Sequence, residues 1–176
     1  MKSKNAKFLT RVALSVALLS VSAMISLPFA VQFTLQIFAV YFVLFAFGGV
    51  VGIASTVVYF LIGILGLPVF SGFSGGFGKL FEPSGGYIIG FVVGSVAYFI
   101  FDTIIFRGKC RFLTTAISFL CIYLCAAAVM YILWGSNGFM QFFGIAAYFV
   151  LPYLIPDIVK LVLAWHLAKK IKRYIN

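Results

Sequence analysis

The sequence predicts an all-α integral membrane protein with six transmembrane helices in one domain, residues 1–176. Three observations carry this reading. Of 176 residues, 64% are hydrophobic and 9% charged, whereas a soluble domain carries about 25% charged residues. Apolar runs recur along the whole chain, near the length of about 20 residues that a helix needs to cross a hydrocarbon core of about 30 Å. Eleven of the thirteen basic residues fall in three short clusters placed where the ends of such spans should be.

The spans read from hydropathy are 9–27, 34–48, 50–66, 85–106, 112–134 and 140–168. The first follows Lys2, Lys4, Lys7 and Arg11. With the small residues Val21-Ser22-Ala23 behind it, this stretch has the grammar of a secretory signal. Its removal would leave five spans and separate the termini, so the uncleaved form is expected. The second span is short, and Gly48 and Gly49 leave almost no loop before the third. Arg107, Lys109 and Arg111 separate the fourth and fifth, and Lys169, Lys170, Lys172 and Arg173 follow the sixth. Six spans put all three clusters on one side, which the positive-inside rule makes the cytoplasm. The net charge of +10 is thereby read as topology and contact with anionic membrane lipids rather than nucleic acid. Cys110, Cys121 and Cys125 have no metal-ligand spacing with His166, the only histidine; they are expected to be reduced and structural.

The segment 66–90 holds eight of the seventeen glycines, with Pro68, Pro83, Phe70, Phe73, Phe77 and Phe81. A loop this apolar is expected to fold back over the helices as a cap. A binding lid, an interfacial anchor and a pore lining all remain open for it. Gly78-Lys79 is not a phosphate loop, because Phe73 and Leu80 break the G-x-x-x-x-G-K-[ST] pattern.

Asp157 and Lys160 lie in the apolar run of the last span. Three residues apart, they share a helix face. Counted from Lys169 they lie roughly 18 Å and 14 Å into the membrane. A charged pair at that depth points to a site or a pathway. The carboxylate accepts hydrogen bonds and the ammonium donates them, which suits a ligand with N–H groups beside a carbonyl, such as a cyclic urea or an amide. A packing ion pair and a proton relay are the alternatives. Pro152 and Pro156 predict a break in this long segment. Gln32, Thr34 and Gln36 at the entry to the second span, and Tyr87 after Gly85-Gly86, are candidates to complete a pocket. Asp102 is expected to pair locally with Arg107. One histidine and three acids provide no catalytic constellation, and no polar stripe runs through several helices as a channel requires.

Gly66-Leu67-Pro68-Val69-Phe70, Pro83-Ser84-Gly85-Gly86-Tyr87, Pro156-Asp157 with Lys160, and Thr34-Leu35-Gln36, in this order and spacing, resemble the BioY family. Its members are biotin-binding S components of energy-coupling factor (ECF) transporters. The resemblance implies an S-component-like bundle in the cytoplasmic membrane with both termini in the cytoplasm. It implies biotin as transported substrate and no bound cofactor. A transmembrane coupling subunit and two ATPase subunits would be the partners, and the ATP would be theirs. By this analogy Asp157 and Lys160 engage the ureido ring. The resemblance places the glycine-rich lid over the ligand; on physical grounds rather than by analogy, the lid, with Gly72 and Gly75, is expected to offer backbone N–H groups to the ligand's carboxylate. Ala13 and Ala17 resemble the small-residue pair by which S components meet the coupling subunit. Gln32, Phe73, Glu82 and Ser84 depart from the family's usual pattern.

Overall fold

The structure, a computed structural model, describes residues 2–27, 33–134, 144 and 151–175. Among these it holds six α-helices: α1 (Lys2–Met24), α2 (Gln36–Phe47), α3 (Gly49–Ile64), α4 (Gly85–Phe99), α5 (Arg111–Trp134) and α6 (Leu151–Ile175). Two short antiparallel strands, β1 (Ser26–Leu27) and β2 (Phe33–Thr34), join α1 to α2, with Ser26 opposite Thr34 and Leu27 opposite Phe33. Gln32 and the expected loop 135–139 lie outside the described residues, as does the start of the sixth span apart from Gly144.

Four stretches are long and apolar enough to cross a membrane: Lys4–Met24, Gly85–Ile105, Arg111–Leu133 and Leu151–Arg173. The helices α2 and α3 are shorter, 12 and 16 residues, or about 18 and 24 Å. The brevity of α2 has a structural counterpart. Ten of its residues, Gln36–Ile37 and Ala39–Ala46, are buried. A helix apolar on every side belongs inside a bundle, and α2 is the core around which the others pack. On α1 the buried residues Val12, Ser15, Leu19 and Ala23 recur at helical spacing.

Helices α4 and α5 approach closely because α4 presents glycine at every fourth position. A Cβ on Gly86 would stand 2.8 Å from the Ala126 Cα, and one on Gly90 would stand 2.9 Å from the Ile122 carbonyl oxygen. A Cβ on Gly94 would strike the Ile122 side chain. Stripes of small residues let membrane helices pack backbone to backbone. Ser118 then donates to the Gly94 carbonyl at 2.8 Å and lies 3.1 Å from the Tyr41 hydroxyl of α2.

The loop 66–84 folds down onto the bundle, as expected, through one phenylalanine rather than four. Phe70 is fully buried, whereas Phe73, Phe77 and Phe81 are exposed. The Phe70 ring occupies the space that a side chain on Gly63 would fill, and it meets Tyr59 edge to face at 5.4 Å. Tyr59 donates to the Val69 carbonyl at 3.0 Å, and Gly76 N–H to the Gly63 carbonyl at 2.7 Å. Lys79, itself buried, pairs with Glu82 at 2.6 Å, so the loop's two charges neutralise one another.

Two local expectations need correction. The expected break does not fall at Pro156, because α6 runs continuously from Leu151 to Ile175 with Pro156 inside it; the residues immediately before Leu151 lie outside the described ones. Pro152 is the second residue of α6, where a helix lacks an N–H partner in any case. Asp102 makes no ion pair with Arg107. A π-helical extension (Ile100–Ile105) ends α4. The chain then turns sharply through positive φ at Arg107 and Gly108, with the Gly108 N–H on the Asp102 carbonyl at 2.7 Å. That turn redirects the chain at Arg107, and the Asp102 Oδ1 is buried without a hydrogen-bond partner.

Candidate functional site

Asp157 and Lys160 are 4% and 7% exposed, one turn apart on the inward face of α6. Lys160 Nζ donates to Asp157 Oδ1 at 2.7 Å. It also donates to the Thr34 carbonyl at 2.6 Å, and it stands 3.5 Å from the centroid of the Phe33 ring. The ammonium thus spends two donors on oxygen and faces an aromatic π surface. Asp157 Oδ2 accepts from the Tyr123 hydroxyl at 2.6 Å. Strand β2, α5 and α6 therefore each supply part of one polar centre. Each carboxylate oxygen holds one partner and can accept another.

A small cavity opens against this centre. Its walls include Asp157, Lys160, Thr34, Gln36, Tyr87 and Tyr153, with Phe33, Ile37 and Phe91 as apolar surface and Ser71 and Ser84 from the loop. Its volume is about 30 Å³, room for about two waters. A vitamin-sized molecule enters only when wall side chains shift; among these, the Phe33 ring is packed over Lys160 and stacked on Tyr153 at 6.4 Å.

The remaining expected residues fall in different places. Thr34 and Gln36 are beside the pair. The Thr34 hydroxyl donates to Gln36 Oε1 at 2.9 Å, and Gln36 Nε2 donates to the Tyr59 hydroxyl at 2.7 Å. Through Tyr59 this chain of bonds reaches the loop anchor. Tyr87 lines the cavity and meets Tyr123 edge to face at 5.7 Å. Gly72 and Gly75 stand outside the cavity wall. Gly72 holds a positive φ of 73°, and Gly75 packs against the Leu67 carbonyl; both shape the loop that carries Ser71. Ala13 and Ala17 are exposed on α1, far along the chain from this cavity. Among the described residues no cluster of histidine, cysteine or acids could hold a metal.

Tyr123, Phe33, Tyr153, Ser71 and Ser84 belong to the site and were missed. The Gly86/Gly90/Gly94 stripe was a usable signal for Tyr123. It fixes which face of α5 meets α4, and Tyr123 is on the inner side with buried Ile122, Ala126 and Met130.

The centre is a donor–acceptor pair beside aromatic walls, in a bundle where ions are costly. A buried ion pair is often no more stabilising than apolar residues of similar volume.

Comparison with known proteins follows the same line. A family described as the BioY family matches residues 1–176. A protein of Pyrococcus horikoshii named probable biotin transporter BioY is 39% identical over 171 residues, covering 96% of this chain and 98% of that protein. The biotin transporter BioY of Thermotoga maritima is 41% identical over 88 residues, 49% of this chain and 52% of its own length. In structure, the chain is similar to the S-component for biotin from an ECF-type ABC transporter, with a TM-score of 0.81 at 19% identity, covering 98% of this chain and 94% of that one. It is also similar to the S component of a bacterial ECF transporter, with a TM-score of 0.62 at 14% identity, covering 98% and 99%. This chain is an integral membrane protein with an S-component fold, and it belongs to the BioY family.

Proposed function

We propose that this protein captures biotin and takes it up across the cytoplasmic membrane as the substrate-specific S component of an ATP-driven ECF transporter. The buried Asp157–Lys160 pair carries the reading. The ureido ring of biotin presents two N–H groups and a carbonyl on one edge. Asp157 keeps acceptor capacity for the N–H groups, and Lys160 meets the carbonyl after exchanging its bond to Thr34. The aromatic walls enclose the apolar bicycle. The valerate carboxylate points toward Ser71, Ser84 and the N-terminus of α4, where a helix end favours negative charge.

Family membership supports this choice of ligand, because the relatives described above bear biotin in their names. The basic clusters at both termini and between α4 and α5 support a cytoplasmic location for both ends. The protein is a binding and transport subunit rather than an enzyme, with no cofactor of its own. ATP is hydrolysed by two ATPase subunits joined through a membrane coupling subunit. Ala13 and Ala17, exposed on one face of α1, are where that subunit would approach.

The test is calorimetry on purified protein stripped of ligand, titrated with biotin and then with thiamine, riboflavin and pantothenate. Saturable one-to-one binding of biotin alone is expected. Binding of another vitamin in preference to biotin contradicts the reading.

A further inference from the structure

At the end of the bundle that carries the basic clusters, a second concavity lies between α2, α5 and α6. It has two connected parts, sharing Phe45, Arg111 and Trp165. The first is a recess of about 140 Å³ lined by these three with Ala168, Lys169 and Lys172. The second is an apolar groove of about 290 Å³ that adds Phe112, Thr115, Leu161, Val162 and His166. On α6 the residues Leu161, Trp165, Lys169 and Lys172 follow one another at 4, 4 and 3 positions, so one helix face changes from apolar to basic over about 16 Å. Phe45 braces Trp165 edge to face at 5.2 Å and gives the groove a fixed floor.

An apolar surface of a membrane protein meets acyl chains by default. This one differs in shape and charge. It is concave, and it leads into three cationic side chains rather than ending in water. Arg111 is the first residue of α5, so the positive end of that helix adds to the field. His166 lines the groove itself, and Asp102 is the acid within electrostatic reach of Lys172. Three cations against one acid leave the recess positive. Guanidinium and ammonium donors converging at headgroup depth, above an apolar groove, match a phosphodiester joined to a hydrocarbon chain.

We propose that this groove is a binding site for one anionic phospholipid, its phosphate held by Arg111, Lys169 and Lys172 and one acyl chain laid along Leu161 and Trp165. The site is separate from the Asp157–Lys160 centre and does not rest on the identity of the ligand bound there.

Native mass spectrometry of delipidated protein tests it, with an equimolar mixture of dioleoyl phosphatidylglycerol and dioleoyl phosphatidylcholine. One phosphatidylglycerol is expected to be retained in preference. The double variant Lys169→Gln/Lys172→Gln should reduce that preference roughly tenfold. The charge-matched double variant Lys4→Gln/Lys7→Gln, on α1, should leave it unchanged. Arg111→Gln gives an independent reading if the first variant melts early. Millimolar inorganic phosphate should not displace the lipid; displacement would mean a site for free phosphate. Equal retention of the two lipids, or equal loss in both double variants, overturns the proposal. So does an unchanged preference in Lys169→Gln/Lys172→Gln, even if that variant no longer associates with a protein partner.

Discussion

Tyr123 on α5 donates to Asp157 on α6 at 2.6 Å, so the carboxylate is held from two sides, by Lys160 on its own helix and by a phenol from a neighbour. The two oxygens are thereby fixed in orientation before any ligand arrives. A hydrogen bond to a charged group contributes about 1.5–3 kcal/mol. Tyr123→Phe, which keeps the ring and its contact with Tyr87, should therefore weaken biotin binding by roughly tenfold or more while the protein remains folded. Calorimetry beside a thermal melt separates the two effects. Unchanged affinity would mean that Tyr123 does not position the carboxylate.

The pair itself should behave as a unit in stability. Removing one partner of a buried ion pair leaves an uncompensated charge and costs about 3–5 kcal/mol, whereas replacing both with neutral residues is often neutral or stabilising. Lys160→Met alone should lower the melting temperature in detergent. Asp157→Asn/Lys160→Met should recover most of that loss without recovering biotin binding. A double variant as unstable as the single one would assign the pair a packing role.

The loop anchor predicts a kinetic effect. Phe70 is fully buried against Tyr59 and Gly63, and Phe→Ala in a core costs about 3–5 kcal/mol. Phe70→Ala should loosen the loop that carries Ser71 and Ser84. Biotin should then dissociate faster, and limited proteolysis should cut between residues 71 and 82. An off-rate equal to that of the parent protein would remove the loop from the account of binding.

Gly90 faces the Ile122 backbone across the α4–α5 contact. Gly90→Leu should push the helices apart and lower the melting temperature, with loss of biotin binding because Tyr123 moves with α5. Gly78→Ala, at a position with no neighbour within 4 Å, should do neither. Equal melting temperatures for the two variants would contradict the close-packed stripe.

The parts of this protein that were legible from sequence are those set by solvent. Span length, the three basic clusters and the stranded charges at 157 and 160 all follow from the difference between lipid and water. Asp157 and Lys160 stood out because each is expensive where it lies. Tyr123 and Tyr153 did not, because an aromatic residue in an apolar span costs nothing and marks itself only through its packing partner, which for Tyr123 the glycine stripe of α4 could have supplied; Phe33 lies in the short strand before α2, where nothing in the sequence sets it apart. The roles of Gly72 and Gly75 were equally hidden. A glycine-rich loop announces unusual backbone geometry, but not whether that geometry approaches a ligand or lets the loop fold on itself. The Asp102–Arg107 pairing was inferred from separation along the chain alone, and the positive-φ turn at Arg107 and Gly108 undid it.

In the proposed function Asp157 and Lys160 hold the ligand. This is tested most directly by isothermal calorimetry of biotin against the parent protein, Asp157→Asn and Lys160→Gln, each first verified as folded by its elution and melt. The parent is expected to bind tightly at one-to-one stoichiometry, and both variants are expected to lose measurable binding. Parent-like affinity in two folded variants would contradict that role.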